Sequence, residues 1–289
     1  MDKKIFTINL YGYLNEDKSK ICKEYQDWNK SLIEKFPELG FEYKLIDITK
    51  DQEDFLKNNT ELFELSNKHK FQMISDYVRY EYLKNNPGSI FIDTDFVLFG
   101  RDSLLELDVL RNISIRKGID WTAGEMGRHG QHSCNWLMIS GGGENSLCSQ
   151  LSNLLVEKSN KDSITNWKLN NKRKGLEEIQ ILNHSNSQES SIKNFISSES
   201  DEDYERRMVF DLFWGYKLYE YVNPSDYLQI PFYNWQGYFW NGSWTDTNVI
   251  HPDKILGCHF FGFAEERPDI IEFLKYHNIK RFYNDGREE

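Results

Sequence analysis

Hydrophobic positions in the first hundred residues switch between two spacings, and each switch marks an element. Lys4 to Leu10 is a short, nearly continuous apolar run, the pattern of a buried first strand, which Tyr11-Gly12-Tyr13 leaves in a loop. Ile21, Tyr25, Trp28, Leu32 and Phe36 then recur at steps of four, three, four and four, one face of a helix that stops before Pro37. Phe41 to Ile48 alternates as a second strand, and Glu53 to Asn67 and Lys70 to Leu83 read as two helices. After a Pro87-Gly88 turn, Ser89 to Ile92 reads as a third strand running directly into Asp93. Further strands are expected at Trp121 to Glu125, Asn135 to Ile139 and Ile255 to Phe261. Strand and helix in alternation predict a layered α/β domain.

One segment breaks the pattern. Residues 183–200 hold seven serines in eighteen positions with little periodicity, too polar to order by their own burial. They are expected to form a mobile loop or insertion within one sheet-centred domain spanning residues 1–289, a length that one large core can organise. The 35 basic and 46 acidic residues leave a net charge of −11 with no long basic run, which sets nucleic acid aside as a partner. Cys22, Cys134, Cys148 and Cys258 lack CxxC spacing, so neither a zinc knuckle nor a disulfide framework is indicated. No window approaches the roughly 18 apolar residues of a membrane span. The run from Ile5 to Leu14 is interrupted by Thr7, Asn9 and Gly12, and the chain has only two alanines, so a secretory signal is not expected either. The expectation is a reducing, cytoplasmic setting. Aromatic residues make up 15% of the chain, which suits stacking on bases or sugars and equally suits a large core.

The densest chemistry lies between Ser75 and Phe99, SDYVRYEYLKNNPGSIFIDTDFVLF. Asp93 and Asp95 sit at i and i+2 where a buried strand ends. They can converge where the strand ends and the chain bends. The carboxyl ends of strands are the usual ligand crevices of open α/β sheets. Two carboxylates meeting there repel unless a cation or ligand hydroxyls meet them, and a hard divalent ion, Mg²⁺ or Mn²⁺, is the simplest resolution. The plain alternative is a capping Asp beside a surface Asp in an ordinary turn. Asp76 and Arg79 lie three apart on the preceding helix, either as an intrahelical ion pair or as a carboxylate and guanidinium aimed at a ligand.

With SDYVRYEYL, then PGSIFIDTDFVLF, then RDSLLEL, the chain resembles the core of glycosyltransferases that carry a DxD sugar-binding region. These include capsular-polysaccharide and yeast mannosyltransferase relatives, kin to the catalytic domains of large clostridial glucosylating toxins. The strong match covers about thirty residues, with weaker echoes over most of the chain. The resemblance implies a GT-A fold, a Rossmann-like mixed sheet flanked by helices, binding a nucleotide-sugar and Mn²⁺ or Mg²⁺. It implies that Asp76 and Arg79 hold a UDP- or GDP-sugar, that Asp93 meets its ribose or sugar, and that Asp95 meets the metal. A family Trp after the first strand is Leu10 here, which passes base stacking to Tyr11. The family's C-terminal His-His-Trp is Cys258-His259-Phe260, which makes His259 the candidate second metal ligand, against a core histidine as the alternative. Asn135, opening a strand, would bond sugar hydroxyls or cap a turn. The implied reaction is transfer with retention of configuration to a glycan or lipid-linked acceptor, the latter consistent with peripheral association at the inner face of a membrane.

Several features have more than one reading. Phe232, Tyr233, Trp235, Tyr238, Phe239, Trp240 and Trp244 would serve as an acceptor platform or as core. Glu125 is a candidate base without a distinguishing signal. Gly141-Gly142-Gly143 reads as a turn rather than an anion loop, lacking GxGxxG or GK[ST]. Of two lid candidates, 183–200 and the tail after Phe261, the tail is expected to close over a donor. Asp93-Thr94-Asp95-Phe96-Val97 also fits the DxDx[TV] pattern of haloacid-dehalogenase-like phosphatases, with Asp93 as nucleophile and Asp95 as general acid. A non-catalytic carbohydrate-binding protein is the alternative from another class.

Overall fold

A computed structural model describes residues 3–60, 63, 67–127, 130–143, 145–159, 216–219, 221–235, 238–240, 244–246, 249–250 and 256–259. The serine-rich 183–200 stretch and the tail after Phe261 lie outside the described residues. The chain opens with β1 (Lys3–Asn9), α1 (Glu16–Lys35), β2 (Phe41–Asp47), α2 (Lys50–Asn59) and α3 (Asn67–Asn85). Next come β3 (Ile90–Ile92), β4 (Phe96–Leu98), α4 (Arg101–Lys117), the β5 (Asp120–Gly127) and β6 (Gly130–Ile139) hairpin, and α5 (Leu147–Lys158). A short α6 (Tyr216–Tyr219) precedes β7 (Tyr227–Trp235), β8 (Tyr238–Trp240), β9 (Trp244–Asp246), β10 (Val249–Ile250) and β11 (Gly257–His259).

Nine strands form one mixed sheet in the order β2-β1-β3-β6-β5-β7-β8-β11-β4, and β9 pairs with β10 separately. β2, β1 and β3 run parallel; β6 is antiparallel to β3 and to β5, and β5 is parallel to β7. Helices cover both faces, as strand alternation requires. Ile5 of β1 and Ile90 and Ile92 of β3 pack with α1 and α4 residues, while Phe6, Ile8 and Phe91 point the other way into a core shared with α3 and α5. The α/β layering expected from the sequence is therefore present, and it is compatible with a Rossmann-like arrangement.

Several boundaries differ from expectation: β6 begins at Gly130, so Asn135 lies within that strand rather than opening it, and α2 differs at both ends. The helix expected over 53–67 begins earlier and ends at Asn59. Thr49 and Gln52 form a reciprocal capping box that starts it, and Thr60 turns extended. β4 is an additional strand, whose three residues are too few to show a period in the sequence.

β4 decides the shape of the site. It follows β3 through a tight turn, closed by the Phe96 N–H donating to the Asp93 carbonyl at 3.1 Å. Yet β3 is third and β4 ninth in the sheet order, so the sheet must curl until its far edge returns beside β3. The outer edge of β4 is covered by α1. Asn29, 2% exposed, donates from Nδ2 to the Phe96 carbonyl (2.7 Å) and accepts the Leu98 N–H at Oδ1 (2.9 Å), while Trp28 Nε1 donates to the Leu98 carbonyl (2.8 Å). One side-chain amide thus replaces a missing neighbouring strand.

Removing it leaves two buried backbone groups without partners. Asn29→Ala is expected to lower the free energy of unfolding by about 1–3 kcal/mol, despite alanine's better helix propensity. A denaturant titration giving an unchanged midpoint would show that water replaces the amide.

Candidate metal centre and its cationic neighbour

The site is assembled from α3, the end of β3, the β3–β4 turn, β6 and β11. On α3, Ser75, Asp76, Arg79 and Tyr80 occupy one buried face. The chain reverses at Pro87-Gly88, where Gly88 adopts φ +80°, a left-handed conformation that favours glycine. β3 is three fully buried residues, and its ladder with β6 ends where the Asp93 N–H donates to the Trp136 carbonyl at 2.8 Å. The turn that follows carries Asp93, Thr94 and Asp95. The Asp93 carboxylate accepts the Thr94 N–H at 3.1 Å, fixing the bend. Two carboxylates that a straight strand would hold about 7 Å apart on one face are thereby drawn toward one point.

β11 supplies the third group. It pairs antiparallel with β4, setting His259 opposite Phe96, the residue after Asp95. This approach is close: a Cβ on Gly257 would lie 2.5 Å from the Phe96 ring and 2.5 Å from the Val97 carbonyl. His259 Nε2 lies 3.0 Å from Asp95 Oδ1, with both residues buried. The His259 imidazole stacks on the Trp136 indole, with centroids 4.6 Å apart and planes 5° apart.

Behind the pair of carboxylates lies a buried cation. Arg79 is 3% exposed and packs its guanidinium 4.0 Å from the centroid of the Phe91 ring. It donates to the Asn135 carbonyl (2.8 Å), approaches Asp76 Oδ1 at 3.1 Å and Asp93 Oδ1 at 3.8 Å, and reaches Ser75 Oγ at 3.4 Å. The Asn135 amide donates both to Asp76 (2.9 Å) and to Tyr80 Oη (2.8 Å). The intrahelical ion pair that was one reading of Asp76 and Arg79 is present, but it is a buried one. Both side chains are almost wholly buried, and removal of Arg79 would strand a buried carboxylate rather than a solvated one.

Burial pushes the Asp76 carboxyl up to about 7, against the opposing pull of Arg79 and the Asn135 hydrogen bond. Asp93 is raised mainly by burial and further by Asp95, with Arg79 and His259 opposing, although 27% of its side chain remains open. Burial also raises the Tyr80 hydroxyl well above its ordinary value, with Asp76 adding to the shift.

The donor set fits a divalent cation. One ligand atom each from Asp93, Asp95 and His259 lies within 4.8 Å of the others. Adjacent ligands of an octahedral ion with bonds of about 2.1 Å stand about 3 Å apart, close to the separation of His259 Nε2 and Asp95 Oδ1. Coordination there requires Nε2 to be free of its proton.

Most of the expected site residues meet here. Asp76, Arg79, Asp93, Asp95, Asn135 and His259 form one cluster. Asn135 reaches it with its amide committed to Asp76 and Tyr80. Tyr11 stands at the carboxyl end of β1, the same sheet edge as Asp93, with its hydroxyl bonded to Gln26 Oε1 at 2.5 Å. Gly141 and Gly142 form a packed turn: Cβ atoms there would lie 2.5 Å from the Ile119 backbone and from Pro87. The aromatic-rich segment lies on β7, β8 and β9, and Glu125 on β5, as backbone positions. Tyr80, Trp136 and Ser75 were missed. Tyr80 was discoverable as the i+4 neighbour of Asp76; Trp136 carried no local signal. No helix among the described residues is long and apolar enough to cross a membrane. The chain matches no family model, no curated protein sequence and no solved structure.

A carboxyl whose pKa is higher in the folded than in the unfolded chain holds its proton more tightly when folded. Stability from that group is therefore lost as pH rises between the two values, here from 3.8 to about 7 for Asp76. Asp76→Asn should gain stability relative to the parent as pH is raised across that window, in metal-free protein followed by thermal melting at each pH. A difference that stays flat would mean Asp76 is ionised throughout.

Proposed function

We propose that the chain is a metal-dependent glycosyltransferase of GT-A type, moving a sugar from a nucleoside-diphosphate donor to a glycan or lipid-linked acceptor. The observation that carries this reading is the convergence of Asp93, Asp95 and His259 at the carboxyl end of a buried parallel strand, with Arg79 3.8 Å behind Asp93. The order of the sheet supports it, since β3, whose end carries the site, adjoins the reversed strand β6.

In this reading Asp95 and His259 hold Mn²⁺ or Mg²⁺, and the imidazole nitrogen favours Mn²⁺. The bound ion supplies positive charge where a departing diphosphate accumulates negative charge. Asp93 keeps an open edge and is the carboxylate with room for ribose or sugar hydroxyls. Asp76 and Arg79, almost wholly buried, act from behind: they fix Asp93 and the Asn135 backbone rather than reach for the donor themselves. Tyr11, at the carboxyl end of β1, is the candidate for base stacking. Retention follows from same-face attack, with the acceptor proton passing to the leaving phosphate and no protein base required.

A panel of UDP-, GDP- and other activated sugars, incubated with and without Mn²⁺, tests the reading through release of free nucleotide. Asp95→Asn is expected to lower kcat/KM about a thousandfold or more, since metal assistance contributes several kcal/mol. Near-full metal-dependent transfer by this variant would remove Asp95 from the site. Hydrolysis of p-nitrophenyl phosphate without nucleotide-sugar turnover would favour a phosphatase. Metal-dependent nucleotide-sugar binding with neither hydrolysis nor transfer would favour a binding protein. Arg79→Lys, which keeps the buried charge, should raise KM or lower kcat, whereas Arg79→Ala should also destabilise by about 3–5 kcal/mol.

A further inference from the structure

We infer that Trp136 is the positioning residue of the metal centre. Its indole face holds the plane of the His259 imidazole so that Nε2 stays directed at Asp95. The inference rests on the reading of Asp93, Asp95 and His259 as a metal-binding group, and goes beyond it by assigning a role to a residue that supplies no ligand atom.

Three contacts converge on this one side chain and its backbone. The indole and imidazole rings lie 4.6 Å apart with planes only 5° from parallel. The same indole stacks on Phe96, with centroids 5.6 Å apart and planes 27° apart. His259 and Phe96 are directly opposed across the β11–β4 ladder, so they project from the same face, and the indole spans both like a plate. The Trp136 carbonyl, finally, accepts the Asp93 N–H at 2.8 Å. Trp136 therefore constrains His259 through its ring, Asp95 through the adjoining Phe96, and Asp93 through its backbone. It is 4% exposed, so the plate itself is held by the core.

A flat partner is needed because of how histidine moves. Rotation of the imidazole about its Cβ–Cγ bond is governed by a broad, roughly two-fold torsion. A ligand strand only three residues long restrains the backbone of His259 but not that rotation. A parallel stack blocks tilting out of plane and leaves Nε2 facing Asp95. Groups that orient a metal ligand without touching the metal typically change affinity by about 10–100-fold when removed.

Mn²⁺ alone is the probe, with the loss of the free-ion electron paramagnetic resonance signal as the measure of binding. The parent, His259→Ala, Trp136→Leu and Trp136→Phe are titrated side by side. Binding by the parent and its marked weakening in His259→Ala would support the metal reading. Trp136→Leu is then expected to bind about 10–100-fold more weakly. Trp136→Phe, which retains a flat face, should recover most of the loss. The visible absorption bands of Co²⁺ bound in place of Mn²⁺ should change in the leucine variant and return in the phenylalanine variant, a signature that lost core volume alone would not produce. Parent-like binding by Trp136→Leu, alongside weakened His259→Ala, would overturn the positioning role and leave the metal site standing. Equal losses in the leucine and phenylalanine variants would also overturn it, pointing to packing rather than ring geometry. If the parent itself binds no Mn²⁺, the metal reading fails and the inference falls with it.

Discussion

Three carboxylates gathered around one permanently charged cation set the terms for the rest of this structure. Arg79 divides its charge between Asp76 at 3.1 Å and Asp93 at 3.8 Å. Asp95 leans instead on His259. Burial is the main cause of the upward shifts of Asp76 and Asp93, and the neighbouring carboxylates add to it against the pull of Arg79. The shortage of positive charge can be met by protons or by a metal ion. α3 brings the arginine, β6 brings the asparagine that shares Asp76, and β11 brings the histidine. Each element contributes a group that makes the acidic cluster tolerable, and the same arrangement makes the site receptive to a cation.

The curl of the sheet is what permits this. Had the chain continued straight beyond β3, Asp93 and Asp95 would have stood about 7 Å apart on one face of the sheet, with β1 and β6 as neighbours rather than β11. The turn at 93–96 sends the chain instead to the far edge of the same sheet, where β11 can deliver His259. An edge strand there would ordinarily present unpaired backbone groups, and Asn29 and Trp28 answer them from α1. The site thus sits at a seam whose two sides are each held by hydrogen bonds, which suits groups that must keep fixed separations.

What could be read from the sequence follows from how local each feature is. The run Ile90-Phe91-Ile92 into Asp93 was legible because an uninterrupted apolar run ending in carboxylates has few structural explanations. Asp76 and Arg79 were legible as a pair because helical spacing places them together, but their burial was not, since it depends on β6 and on Phe91 across the core. The start of α2 is written in the capping pair Thr49 and Gln52, which apolar spacing does not register. β4 was illegible because three residues show no period. Trp136 looked like an ordinary strand residue, and its role arises from a histidine more than a hundred residues further along. Tyr80 was hidden in a helix already crowded with aromatics.

The two halves of the site differ in that same respect. Asp76, Arg79 and Asp93 lie within eighteen residues and are joined by a helix, a turn and a strand, so they form with little loop closure. Asp95 and His259 are 164 residues apart, and their meeting depends on the docking of the three-residue strand β11 between β8 and β4. So short a strand contributes few backbone hydrogen bonds, and coordination of His259 to an ion shared with Asp95 would add a bond across the seam. By linkage, an ion that binds only the docked arrangement stabilises that arrangement to the extent of its own affinity. The cationic half of the site is thus a property of the local fold, whereas the half that could hold a metal ion is a property of the completed sheet.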